Sequence, residues 1–200
     1  MIAFDRFTVV LDACVLFPMV VRDVLLTLAD HEFFNPKWSD RLHDEWTRNL
    51  IALRQAQNLS GDVQAKIEAI RDNMDRAFPD ALVEDVLPET TDLEPVDPKD
   101  RHVVMTAIAA RADAVVTFNL CDFAVEHVLQ THDIEILHPD NFVLDLIDLQ
   151  EKRAVVAFKE MRLRKRNPPW TVDEFIERIG RSGLVGTAAW LGRDDVRPLL

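Results

Sequence analysis

Short apolar runs that alternate with amphipathic stretches dominate this chain, and that alternation restricts the folds open to it. Phe7-Thr8-Val9-Val10-Leu11 is short, rich in β-branched residues and closed by Asp12, the pattern of a buried strand. Val115 to Phe118 repeats it later in the chain. Leu16 to Ala29 carries apolar residues at helical spacing, with Pro18 tolerable in a first turn. Ser39 can cap a helix running through Trp46, Leu50 and Leu53. Gly61-Asp62 opens another, with Val63, Ile67, Ile70 and Met74 on one face and Phe78-Pro79 as its stop.

Shorter strands are expected at Glu32 to Pro36, Ala81 to Leu87 and Ile134 to Leu137, with a breaker-rich linker from Pro88 to Pro98. Helices are expected at Asp100 to Ala112, Phe123 to Gln130 and Asn141 to Leu149. Strand and helix thus alternate, which predicts an α/β fold with a parallel sheet covered on both faces. The tail offers no strand signal. Pro168-Pro169 divides a basic helix from one at Thr171 to Ile179, where Thr171 and Glu174 have capping-box spacing, and Leu184 to Leu191 reads as a last helix. Residues 1–150 therefore read as the main domain and 151–200 as a helical extension.

With 200 residues, 48% of them hydrophobic, the chain can bury a core and is too apolar to be disordered. No apolar run approaches the roughly 18 residues of a membrane span, so no membrane association is expected. Asp5 and Arg6 interrupt the first apolar stretch, so no signal peptide is expected either. Two cysteines, Cys14 and Cys121, make no disulfide framework, and a reducing cytoplasm fits them best. The net charge of −12 argues against indiscriminate nucleic-acid binding and is compatible with a basic partner. The bases concentrated at 159–166 read equally as a solvated helix end and as a phosphate contact.

Four acids stand where apolar runs give way to turns or helices: Asp12, Glu45, Asp100 and Asp122. In a parallel sheet the chain leaves every strand at one edge, so such acids can converge in one crevice. Carboxylates with water and substrate phosphate suit hard divalent cations, which points to metal-assisted phosphodiester hydrolysis. Each acid alone has a structural reading: Asp12 and Asp100 can cap helices, and Glu45 can be a solvated helix residue. Their joint pattern is more specific. It runs strand-then-Asp, Ser-x₅-Glu, Asp-then-Ala-rich helix, and strand-then-Thr-x-Asn-x₂-Asp-Phe.

That pattern resembles the PIN-domain ribonucleases, particularly the VapC-like toxins of bacterial toxin–antitoxin pairs, from about Val9 to Leu137. It is carried by Val10-Leu11-Asp12-Ala13-Cys14-Val15-Leu16, Asp97-Pro98-Lys99-Asp100-Arg101-His102-Val103 and Val115-Val116-Thr117-Phe118-Asn119-Leu120-Cys121-Asp122-Phe123. The resemblance implies a three-layer α/β/α fold with Mg²⁺ or Mn²⁺ held by Asp12, Glu45, Asp100 and Asp122. It favours Glu45 over the adjacent Asp44. Thr117 and Asn119 match positions that line the site. Asn119 stands where many relatives carry an acid, so its amide oxygen is the alternative to Asp122 as fourth ligand. Asp97 is a further candidate ligand, with a turn residue beside Pro98 as its plainer reading.

The resemblance further implies an endoribonuclease acting on RNA, a cognate antitoxin protein and a homodimer. The alternative is a catalytically silent PIN-like module that binds a partner, motivated by Asn119 and the helical tail. A phosphotransfer receiver domain would need paired acids at the first strand and a lysine after a late one, and this chain has neither. Arg101, Lys99 and Arg22 are candidates to help an anionic substrate approach, with surface charge as the plainer reading for Lys99 and Arg22. Cys14 and Cys121 read as structural thiols near the site rather than redox switches. Among the six histidines, His43, His102 and His138 included, no spacing is typical of a zinc site.

Overall fold

A computed structural model describes residues 7–57, 61–86 and 91–200. In chain order it holds β1 (Thr8–Leu11), α1 (Ala13–Leu16), α2 (Met19–Asp30), β2 (Asn35–Lys37), α3 (Asp40–Ala56) and α4 (Val63–Ala77). There follow α5 (Arg101–Ala110), β3 (Ala114–Val116), α6 (Val125–His132), β4 (Glu135–Leu137), α7 (Pro139–Leu149), α8 (Glu151–Leu163), α9 (Val172–Arg181) and α10 (Val185–Leu191).

The four strands form one sheet in the order β2-β1-β3-β4. β1 is parallel to β2, with Val9 opposite Pro36, and parallel to β3, with Val10 opposite Val115. Val9, Val10, Leu11 and all of β3 are fully buried, as expected of strands covered on both faces. The expected α/β/α, PIN-like fold with further C-terminal helices is therefore the one observed. No helix among the described residues is long and apolar enough to cross a membrane.

The chain gathers into two compact units. The first comprises residues 1–17 and 35–136. In it α5 packs on β1 and β3, and α3 packs on α1 and α4. Asp62 caps α4 by accepting from the Ala65 N–H at 2.9 Å, and the helix stops at Phe78 as its sequence predicts. The second unit comprises residues 18–34 and 137–200. There α2 packs on α8 and α9, while α7 packs on α8 and α10. Its core stacks Phe158 against Phe175 and Trp190, and the expected capping box of Thr171 and Glu174 starts α9.

Four local expectations need correction. The strand expected at Glu32 to Pro36 begins only at Asn35, since Glu32 turns left-handed at φ 61°. The helix expected from Leu16 is interrupted, because Pro18 offers no N–H and instead caps α2 from an extended conformation. The strand expected at Ala81 to Leu87 reduces to a single parallel bridge between Trp38 and Leu82, and Asp85 turns left-handed at φ 55°. Leu87 lies outside the described residues, as does the linker's start at 88–90. Ser39 occupies the N-cap position of α3, but its hydroxyl makes no capping bond and accepts from Thr106 Oγ1 at 3.1 Å.

Candidate active site

The site grows from the ends of β1 and β3. Asp12 follows β1 directly, and its N–H donates to the Val116 carbonyl at 3.1 Å, so the β1–β3 pairing fixes its backbone. Its carboxylate is almost wholly buried, at 3% exposure, and makes no capping bond to α1. Two donors meet it instead. Thr117 Oγ1 donates to Asp12 Oδ2 at 2.7 Å, and Cys14 Sγ donates to the same oxygen at 3.0 Å. Thr117 in turn accepts the Asn119 N–H at 3.0 Å, and Cys14 accepts the Phe118 N–H at 3.2 Å. Burial, with Asp12 beside it, pushes the Cys14 thiol far above its ordinary range, so it is an inert hydrogen-bond donor and not a nucleophile.

Asp100 stands at the N-cap of α5, yet its carboxylate makes no capping bond either. The structural reading of both aspartates as caps therefore fails. Asp97 is the turn residue its sequence predicts, with Oδ1 accepting the Lys99 N–H at 2.9 Å and its carbonyl accepting the Asp100 N–H at 2.9 Å. The Asp97 N–H donates to the Asp122 carbonyl at 2.8 Å. That bond ties the turn after β3 to the start of α5 and brings Asp122 towards Asp100.

Glu45 arrives from α3. Its Oε2 lies 3.4 Å from Nε2 of His102, whose Nδ1 donates to the Lys99 carbonyl at 2.7 Å. His102 Nε2 is buried without a well-formed hydrogen bond, so the contact with Glu45 is electrostatic rather than aligned. It is nevertheless the main influence holding the Glu45 carboxyl below its ordinary range, with Arg48 and Arg41 adding to it. Sequence periodicity alone left His102 without a partner, because the contact joins helices far apart in the chain.

The other acids act on Asp100. Burial, followed by the charges of Asp12, Asp122, Asp97 and Glu45, pushes the Asp100 carboxyl up to about 6. Asp100 is thus the electrostatic centre of the group. Glu45 also lines a hollow of about 420 Å³ together with Ala13, Cys14, Phe17, Asn49 and Asn119. Asn119 itself is exposed. Among the described residues, no three His, Cys, Asp or Glu side chains already close around a common point at ligand distance. The donors are all carboxylate oxygens, the set that suits a hard cation retaining several of its waters.

The candidate cations divide differently from expectation. Arg101 is engaged by the Val96 and Glu94 carbonyls at 3.0 and 3.1 Å. Arg22 is buried within the second unit, and burial lowers its pKa. Lys99 is exposed. In the basic run, Lys159 binds the Leu199 carbonyl, Arg162 the carbonyls of Trp170 and Leu200, Arg164 Asp30, and Lys165 Asp23. Those side chains are structural fasteners of the second unit, whereas Arg166 is exposed.

Comparison with known proteins gives two family matches. The PIN domain model matches residues 8–120, and the VapC50 C-terminal domain model matches residues 139–193. Over 82 residues the chain is 37% identical to "Putative ribonuclease VapC50" of Mycobacterium tuberculosis, which covers 41% of this chain and 48% of that protein. The similarity thus spans about half the length of the relative. No solved structure matches the chain.

Proposed function

Because this chain belongs to the PIN domain family, we propose that it is a metal-dependent endoribonuclease, the toxin of a toxin–antitoxin pair. The observation that carries the reading is the focusing of four other carboxylates on Asp100, whose carboxyl they help push up to about 6. An acid cluster of this kind costs stability unless a cation relieves it. Asp12, Glu45, Asp100 and Asp122 would hold Mg²⁺ or Mn²⁺, with the Asn119 amide as the alternative to Asp122. Such an ion supplies a water of lowered pKa and stabilises charge on phosphate oxygens.

The chain's own residues do the rest. Thr117 and Cys14 both donate to Oδ2 of Asp12, so Oδ1 is the oxygen Asp12 can offer. Glu45, held in place beside His102, is the acid proposed to accept a proton from an attacking water. Asn119 stands exposed at the mouth of the hollow, where an RNA strand would pass. The relative's name, a ribonuclease, supports the choice of RNA as substrate. The two free thiols accord with a reducing cytoplasm. A cognate antitoxin and a homodimer complete the proposal, which rests for both on the family alone.

The test is cleavage of total bacterial RNA with Mn²⁺ by wild type, Asp12→Asn and Asp100→Asn, with Mn²⁺ affinity measured by calorimetry. Wild-type cleavage lost in both variants supports the nuclease. Neither cleavage nor Mn²⁺ binding by the wild type would replace it with a silent partner-binding module.

A further inference from the structure

A second cavity, of about 540 Å³, opens where the chain leaves β2. Ser39 and Arg41 enter it from the start of α3, Val83 and Val86 from the segment beside Trp38, and His102 and Met105 from α5. Its wall is fixed by two bonds: the Trp38 N–H donates to the Ala81 carbonyl at 3.0 Å, and the Val83 N–H donates to the Trp38 carbonyl at 2.8 Å. It lies at the carboxyl edge of the sheet, the edge that also carries Asp12 after β1 and Thr117 after β3. Open α/β sheets bind ligands at that edge. His102 belongs to both places, lining this cavity and contacting Glu45.

We propose that this cavity is a nucleobase subsite that seats a guanine next to the scissile phosphate and so gives the enzyme a base preference. The inference rests on the nuclease reading for its substrate class. Its size suits a nucleoside, since small-molecule sites run from about 300 to 1,000 Å³. Val83, Val86 and Met105 provide apolar contact for a ring, and Ser39 and Thr106 place buried hydroxyls at its back.

Charge decides between base and backbone. Asp40, Glu84 and Asp85 share the rim, so a phosphate is repelled. Arg71 pairs with Asp40 at 2.5 Å and Arg41 stands on the same wall, so most of the acid charge is offset and a ligand need not be a cation. A neutral ligand remains. Carboxylates only accept hydrogen bonds. Guanine presents N1–H and its amino group side by side, which one carboxylate can take together. Uracil offers a lone N3–H between two carbonyls, and these oxygens face the acids unfavourably.

The experiment titrates guanosine and uridine into the full chain while following the Met105 methyl signal, in wild type and in Val86→Trp, which fills the cavity. Asp85→Asn serves as a second, exposed variant. Guanosine should shift the Met105 signal at least about tenfold more tightly than uridine, the net effect of a hydrogen bond to a charged acceptor. Val86→Trp should abolish the shift while keeping its unfolding midpoint, and Asp85→Asn should narrow the guanosine preference. No shift with either nucleoside, or an equal shift in Val86→Trp, overturns the subsite. So does a response to argininamide alone, which would assign the cavity to a basic protein segment. Nucleoside binding without RNA cleavage would instead overturn the nuclease and leave the subsite standing, while cleavage without nucleoside binding does the reverse.

Discussion

The Trp46 indole donates its N–H to Nδ1 of His43 at 2.9 Å, and this fixes the protonation of a wholly buried histidine. With Nδ1 accepting, the ring proton must sit on Nε2, where it meets Asp75 Oδ1 at 3.0 Å. The same Asp75 oxygen accepts the Trp38 indole N–H at 2.8 Å. A second proton on His43 would turn Nδ1 against the Trp46 N–H.

Burial accordingly lowers the His43 pKa below 6.5, despite the opposing pull of Asp75. A histidine depressed in the folded state binds its proton first in the unfolded chain. Its contribution to stability is complete above pH 6.5 and is lost as pH falls through the folded value. His43→Phe should flatten that acid limb in denaturant titrations followed by tryptophan fluorescence. It should also cost about 1–3 kcal/mol at neutral pH, because it withdraws the acceptor from Trp46 and the donor from Asp75.

Asp100 has the opposite sign. Its carboxyl is raised from 3.8 to about 6, so its contribution is fully present below pH 3.8 and is lost as pH rises through about 6. Above pH 6, the metal-free Asp100→Asn protein should unfold at a higher temperature than wild type. Added Mn²⁺ should stabilise the wild type and leave the variant nearly unmoved. A scan of Tm against pH, with and without Mn²⁺, checks both statements.

Thr117→Val should weaken Mn²⁺ binding and RNA cleavage together and destabilise the fold by about 1–3 kcal/mol, since it strips a donor from a buried carboxylate. Cys14→Ser keeps a donor at the same place and should retain most of the activity. Cys14→Ala should fall between wild type and Thr117→Val. Calorimetry and cleavage rates on the three variants give the order.

Arg162 holds the carbonyls of Trp170 and Leu200 at 3.0 and 3.1 Å. Arg162→Met should therefore lower stability by about 1–3 kcal/mol. The slope of RNA affinity against salt should stay as in wild type, because the guanidinium is already spent within the fold. A reduced slope would return the basic run to the RNA-contacting surfaces.

What the sequence made legible follows a physical line. β1, β3 and α5 were readable because their apolar periodicity and Ala-rich face are local properties. The segment from Ala81 was not, since its apolar start Ala81-Leu82-Val83 suits a strand while Asp85 adopts a left-handed turn. The acids could be picked out by their places at the ends of runs. Their convergence on Asp100 could be inferred only from topology and family likeness. Ser39 shows the limit of a capping signal: the position was right, but Thr106, 67 residues away, claims the hydroxyl. The pairings of Cys14 with Asp12 and of His102 with Glu45 depend on side-chain directions that spacing does not encode.

The composition of the second unit has a consequence for the order of events during synthesis. α2 belongs with α8 and α9, yet roughly a hundred residues separate Phe34 from Leu137. Its apolar face of Val21, Val24, Leu25 and Leu28 is complete early, whereas the helices it packs on, α8 and α9, are made much later. At ribosomal rates of about 5–20 residues per second, the nascent α2 waits roughly 7–30 seconds for these two partners. Folding of this unit thereby waits on segments made far apart in time, and the interval is a window for chaperone capture or misassembly.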